Sequence, residues 1–89
     1  MTLKSDEFWK PVITTRQILA GDDDITCVNL DEAGDWEALG DAEFSDDDLD
    51  VVSVEDILAL DPTLATLPDM KPQQSCVRMN RLSPWTIVS

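Results

Sequence analysis

The alternation of hydrophobic and polar positions divides this chain into short strand-like runs around one clear helical stretch. Pro11 to Thr15 (PVITT) is β-branched and follows a proline, which predicts a short strand or extended entry. The next residues, RQILAG, suit one helical turn closed by Gly21, or simply a turn. Asp24 to Leu30 (DITCVNL) is β-prone, Asp31 to Asp35 (DEAGD) has turn chemistry around Gly34, and Trp36 to Leu39 (WEAL) returns as the partner strand of a hairpin, with Gly40 at the exit. Leu49 to Val52 reads as extended.

Ser53 then opens the helical stretch, with Asp56 three residues on in a capping-box-like pattern. Val54, Ile57 and Leu58 follow at i, i+3 and i+4, so they share one apolar face. Asp61-Pro62 interrupts, because proline fits the first position of a new helix better than the interior of an old one. A second short helix from Pro62 to Leu67 would bury Leu64 and Leu67 before Pro68 stops it. Ser75 to Asn80 and Trp85 to Val88 are the last strand candidates, joined by a turn around Arg81 to Pro84. These elements predict an α+β fold: a small single domain with a mainly antiparallel sheet of about four or five strands and a helical insert over residues 53–67. Residues 11–89 form that domain, and residues 1–10 are expected to be a mobile N-terminal segment.

Charge changes this picture more than length does. The chain has 89 residues and a formal net charge of -13, and seventeen of its nineteen acidic residues fall between Gln17 and Met70, a stretch without Lys, Arg or His. The six basic residues sit at the ends: Lys4, Lys10 and Arg16 before, Lys71, Arg78 and Arg81 after. Such a surface repels nucleic acid and anionic lipid over about one Debye length, ~8 Å at physiological salt. The partner it implies is a basic protein, with no direct nucleic-acid contact and no membrane. Residues 41–50 (DAEFSDDDLD) are expected to be a mobile acidic loop that offers little to bury, with Phe44 and Leu49 able to pin its ends. Met1 to Lys10 is polar and no apolar run approaches the ~20 residues of a membrane span, so the expected location is the cytoplasm.

The chain has no His and no Tyr, and neither Cys27 nor Cys76 has a cationic neighbour in sequence. Those absences remove Ser-His and Cys-His nucleophile systems and His-ligated metal sites, and the expected protein is not an enzyme and carries no cofactor. Asp46, Asp48 and Asp50 match the first three ligand positions of a calcium loop, but Val51 replaces the required Gly and Ile57 the closing Glu, so no metal site is assigned. In the absence of a secretory context the two cysteines read as small buried apolar residues, a disulfide remaining open if they fall on neighbouring strands. Trp36, between Asp35 and Glu37, has two placements open to it: core, or an anchor facing a partner.

Several runs together resemble a known family. Gly-Asp-Trp-Glu-Ala-Leu (Gly34 to Leu39), VVSVEDILALDPTL (Val51 to Leu64), Cys76-Val77-Arg78 and the terminal Pro84-Trp85 are similar to the Imm33-like immunity family, small bacterial domains grouped with polymorphic-toxin immunity proteins. The resemblance spans roughly residues 12–88 and rests on Trp36, Asp61-Pro62, Arg78 and Trp85; Lys71-Pro72-Gln73-Gln74 stands where the family favours Pro-Pro-Gly. It implies a toxin-neutralising role and carries no catalytic site.

Carboxylates placed where a nuclease expects phosphates speed association and exclude wrong partners. The function expected is therefore an immunity-type inhibitor of a basic toxin or nucleic-acid-binding protein. The surface expected to carry it is the hairpin and loop: Asp31, Glu32, Asp35, Glu37, Asp41, Glu43, Asp46, Asp47, Asp48 and Asp50, with Trp36 or Phe44 as apolar anchor. The alternatives are a DNA-mimic protein of phage or mobile-element origin, or a small acidic domain whose charge serves only solubility.

Overall fold

A computed structural model describes Leu3 and residues 8–88. Its centre is a six-stranded sheet in the order β4-β1-β3-β2-β5-β6, with β1 at Pro11–Thr15, β2 at Cys27–Leu30, β3 at Trp36–Leu39, β4 at Leu49–Ser53, β5 at Ser75–Val77 and β6 at Thr86–Val88. The fold is α+β, with one strand more than the sequence pattern suggested. The β1–β3 pair is parallel and the other pairings are antiparallel. That parallel contact arises because the β2–β3 hairpin is inserted beside β1, and the chain then crosses to the far edge as β4.

The hairpin forms as its turn chemistry dictates. Gly34 takes φ +88° in the turn, and Asp31 Oδ1 accepts from Asp35 N at 2.8 Å. The expected strand Asp24–Leu30 begins later, at Cys27, because Asp22 to Asp24 have no ladder partner to extend onto. Helix α1, Arg16–Leu19, is a single turn capped by Thr15 Oγ1, which accepts from Ile18 N at 3.3 Å.

Helix α2, Val54–Leu60, starts where Ser53 and Asp56 exchange bonds: Ser53 Oγ accepts from Asp56 N at 3.1 Å and Asp56 Oδ2 from Ser53 N at 3.5 Å. Two further amides of its first turn donate to the carbonyls of Lys10 and Phe8. Asp61 caps a following 3₁₀ turn, Pro62–Thr66, and Leu64 and Leu67 are buried. Residues 71–74 make a tight turn in which Gln73 takes φ +70°, the left-handed region glycine favours.

One hydrophobic cluster holds the fold. Val12, Val28, Leu30, Trp36, Ala38 and Cys76 enter it from one face of the sheet, and Ile18, Val54, Ile57 and Leu64 from the helical layer. Leu3 also packs there. Residues 1, 2 and 4–7 of the expected mobile segment lie outside the described residues, and the exposed Phe8 and Trp9 are tied to α2 through the Phe8 carbonyl. Cys27 and Cys76 do occupy neighbouring strands, but Cys76 pairs with Val28 and Cys27 with Val77, so their side chains point to opposite faces and both thiols are free. Burial raises the pKa of each thiol, helped at Cys27 by the negative charge of Glu37 and at Cys76 by Cys27.

Candidate functional site

Strand direction decides where the acids go. β1 and β3 run the same way, so Thr15, Leu39, Cys27, Leu49 and Val77 share one end of the sheet. Segments leaving or entering that end carry Asp22, Asp23 and Asp24 before β2, and Asp41, Glu43 and Asp46 to Asp48 between β3 and β4. The turn Asp31 to Asp35 lies at the other end of β2 and β3, about 13 Å away along a four-residue strand. The expected single hairpin-and-loop surface is therefore divided: Asp31, Glu32 and Asp35 crown one end, and Asp41, Glu43, Phe44 and Asp46 to Asp48 the other. Glu37 sits between them, mid-strand on the sheet face away from the core.

At the Asp-rich end the two acidic segments are stitched together. Asp41 Oδ1 accepts from Thr26 Oγ1 at 3.0 Å, and Asp23 Oδ2 from Ala42 N at 3.2 Å. Gly40 makes this approach possible, since a Cβ there would collide with the Asp23 carboxylate and come within 2.5 Å of the Asp24 carbonyl oxygen. Between the segments lies a depression of about 360 Å³ lined by Asp22, Asp23, Asp24, Asp41, Thr26 and the loop residues Met79 and Asn80.

The acidic loop is more structured than its charge suggested. Residues Asp46–Asp48 form a 3₁₀ turn, and Leu49 and Asp50 already belong to β4. Asp48 braces the turn: its Oδ2 accepts from Ser45 N at 3.1 Å and its Oδ1 lies 3.5 Å from Arg16 Nε, while Arg16 also donates to the Asp47 carbonyl at 2.7 Å. The Ser45 amide first, then the Gln17 side chain and the Arg16 charge, hold the Asp48 carboxyl below the usual aspartate range. Asp46 and Asp47 have no ion pair among the described residues. Nor do those residues contain a group of three or more His, Cys, Asp or Glu arranged to hold a metal ion.

Trp36 takes the core placement at 2% exposure, opposite Val12, and is not available as a partner-facing anchor. A strand tryptophan on the even face has the helical layer to fill against, which outweighs its charged sequence neighbours. Phe44, 41% exposed, is the apolar side chain left on the loop.

The buried charge cluster lies elsewhere. Arg78 NH2 meets Asp61 Oδ2 at 2.8 Å with the two side chains 1% and 6% exposed. Arg78 also donates from Nε to the Ile25 carbonyl at 2.9 Å, from NH1 to Thr63 Oγ1 at 2.8 Å and to the Arg81 carbonyl at 3.2 Å, and its guanidinium lies 4.1 Å from the Trp85 ring centre. Asp61 Oδ1 takes Thr63 N and Thr63 Oγ1, with Arg81 Nε at 3.3 Å. Every oxygen and most donors of this cluster are satisfied, so it locks the C-terminal segment to the helical layer. The fold thus gathers Asp61, Arg78 and Trp85 into one clasp.

Asp22 to Asp24 belong beside Asp41 although the sequence reading left them out. The signal was there: in the hairpin expected over Asp24 to Leu39, the residues before the first strand meet the residues after the second. Neither the known protein families, nor the curated proteins, nor the solved structures contain a match to this chain. No helix among the described residues is long and apolar enough to cross a membrane.

Proposed function

We propose that this protein is a non-catalytic binding protein for a basic partner, acting as an immunity-type inhibitor of a toxin or nucleic-acid-binding protein. The observation that carries this reading is the convergence of Asp22, Asp23, Asp24 and Asp41 around one depression with Asp46 and Asp47 close by in the same connection. At this end Arg16 pairs with Asp48 alone, while Arg78 and Arg81 pair with Asp61, so Asp22, Asp46 and Asp47 keep their charge. The Asp-rich end therefore keeps a negative field that a Lys- or Arg-rich surface would neutralise, raising the association rate and rejecting anionic competitors. The resemblance to Imm33-like domains points the same way.

Asp22, Asp46 and Asp47 offer a clean test, because their carboxylates make no hydrogen bond or ion pair among the described residues. Tagged protein is used to capture partners from its host at low salt and at about 0.5 M, where the Debye length is roughly 4 Å. The expected result is one basic protein, held at low salt, released at high salt and not captured by the Asp22→Asn/Asp46→Asn/Asp47→Asn variant. If that protein is toxic when expressed alone, co-expression of the wild-type chain should restore growth. A partner captured equally at both salt concentrations and by the variant would remove the charge-driven reading.

A further inference from the structure

The two faces of the sheet are finished differently. Even-numbered positions of the inner strands are sealed under the helical layer, whereas the odd-numbered ones contribute nothing to the core cluster. Across the odd face Val51 registers with Ile13, Ile13 with Glu37, Glu37 with Asn29 and Asn29 with Ser75. One row further on, Leu39 registers with Cys27 and Cys27 with Val77. Six strands make this face about 24 Å wide.

A solvated sheet face ordinarily carries polar residues at its outward positions. Here Ile13, Leu39, Val51 and Val77 hold such positions, with Val51 59% and Val77 36% exposed. They flank a polar bar that is already ordered: Asn29 Nδ2 donates to Glu37 Oε1 at 2.7 Å, and Ser75 Oγ donates to Asn29 Oδ1 at 2.5 Å. No Lys or Arg among the described residues pairs with Glu37.

We propose that this open sheet face is the surface on which the basic partner docks, laying apolar side chains over Ile13, Leu39, Val51 and Val77 and pairing a Lys or Arg with Glu37. The proposal rests on the reading above that the partner is basic, and adds where it sits. Charge selects this occupant over a second copy of the chain. Two copies face to face would stack two chains of net charge -13, the Asp-rich end of one meeting either the Asp-rich end or the Asp31–Asp35 turn of the other within a Debye length of about 8 Å. Geometry joins the two parts of the footprint: Leu39, Leu49 and Val77 lie at the end of the sheet where the acidic segments begin, so the apolar face runs directly into the negative field. Apolar contact would supply the residence time and the acids the encounter.

Two capped octapeptides of equal charge separate the terms, one alternating Lys and Val, the other Lys and Ser. Binding is measured by calorimetry at about 20 mM salt, with amide shifts followed by NMR and the oligomeric state by sedimentation. The Lys/Val peptide is expected to bind about tenfold more tightly than the Lys/Ser peptide and to shift the amides of Ile13, Leu39, Val51 and Val77. Val51→Ser/Val77→Ser should erase that advantage without changing Lys/Ser binding or the melting temperature. Val51→Ser alone, at the more exposed site, serves if the double variant is unstable. Equal binding of both peptides, with shifts confined to Asp22–Asp24 and Asp41–Asp48, would overturn the docking face and leave the basic-partner reading intact. Binding of neither peptide would sink that underlying reading as well. A concentration-dependent dimer disrupted by Val51→Lys would make a second copy the occupant and overturn the proposal.

Discussion

Asp61 and the aspartates of the Asp-rich end are the same residue put to opposite uses. Asp61 is buried, meets two arginines and accepts from Thr63, so its charge is spent holding the C-terminal segment in place. Asp22, Asp46 and Asp47 are exposed and spend nothing on the fold. A carboxylate buried with its cation is costly to break, whereas exposed carboxylates crowded together repel one another and are restrained mainly by salt. Identical residue types thus separate into a structural group and an available group according to what packs against them.

The largest effect should come from breaking the clasp. Asp61→Asn leaves the Arg78 guanidinium buried without its counter-charge and is expected to cost about 3–5 kcal/mol in chemical denaturation. Removing both partners, as Asp61→Asn/Arg78→Met, should cost less than the sum of the single changes, since no lone charge remains. Strict additivity would mean that the pair does not act as a unit.

The stitching of the Asp-rich end comes next. Gly40→Ala forces Asp23 and the Asp24 backbone apart from β3, with an expected loss of about 1–3 kcal/mol. Amide exchange should quicken at Thr26 and Ala42 and not at Asp61, whose amide donates to the Ile57 carbonyl of α2. Uniform loss of protection would show the two regions to be one cooperative unit.

Smaller still is the relief of repulsion. The melting temperature of the wild type should rise between low and moderate salt, and Asp22→Asn/Asp46→Asn/Asp47→Asn should raise it at low salt and flatten the dependence, by under about 1 kcal/mol. A flat or falling wild-type profile would show that the acids do not strain the fold.

Asp48 stands between the two groups, half-buried and bonded. Its folded-state pKa is lowered, so its contribution is present above the unfolded value and fades as pH falls through the folded one. Asp48→Asn should therefore lie slightly below the wild type in melting temperature at neutral pH, and the difference should close as pH drops below the usual aspartate range. A gap that persists in acid would assign the effect to packing instead of charge.

Much of this was legible from local pattern. Ser53 with Asp56, Pro62 after Asp61, and Gly34 in its turn specify caps and a hairpin through contacts within a few residues, and each element formed where such chemistry placed it. Strand ends were less legible: Ser75–Asn80 shortens to Ser75–Val77, and Trp85 leaves β6 to stack on Arg78. A ladder stops where its partner stops, and the partner is remote in sequence.

The chain alone determines its charge segregation, its acidic middle, the alternation within each strand and the helical insert, because these depend on composition and on neighbours a few positions apart. Tertiary structure alone decided that β1 and β3 run parallel, which brings Arg16 at the end of β1 to the Asp-rich end beside Asp48. It also decided that Trp36 faces the helical layer while Glu37 faces out, and that Arg78 reaches Asp61 across seventeen positions. Those outcomes turn on which strand lies beside which, and strand order is a property of the whole packed sheet.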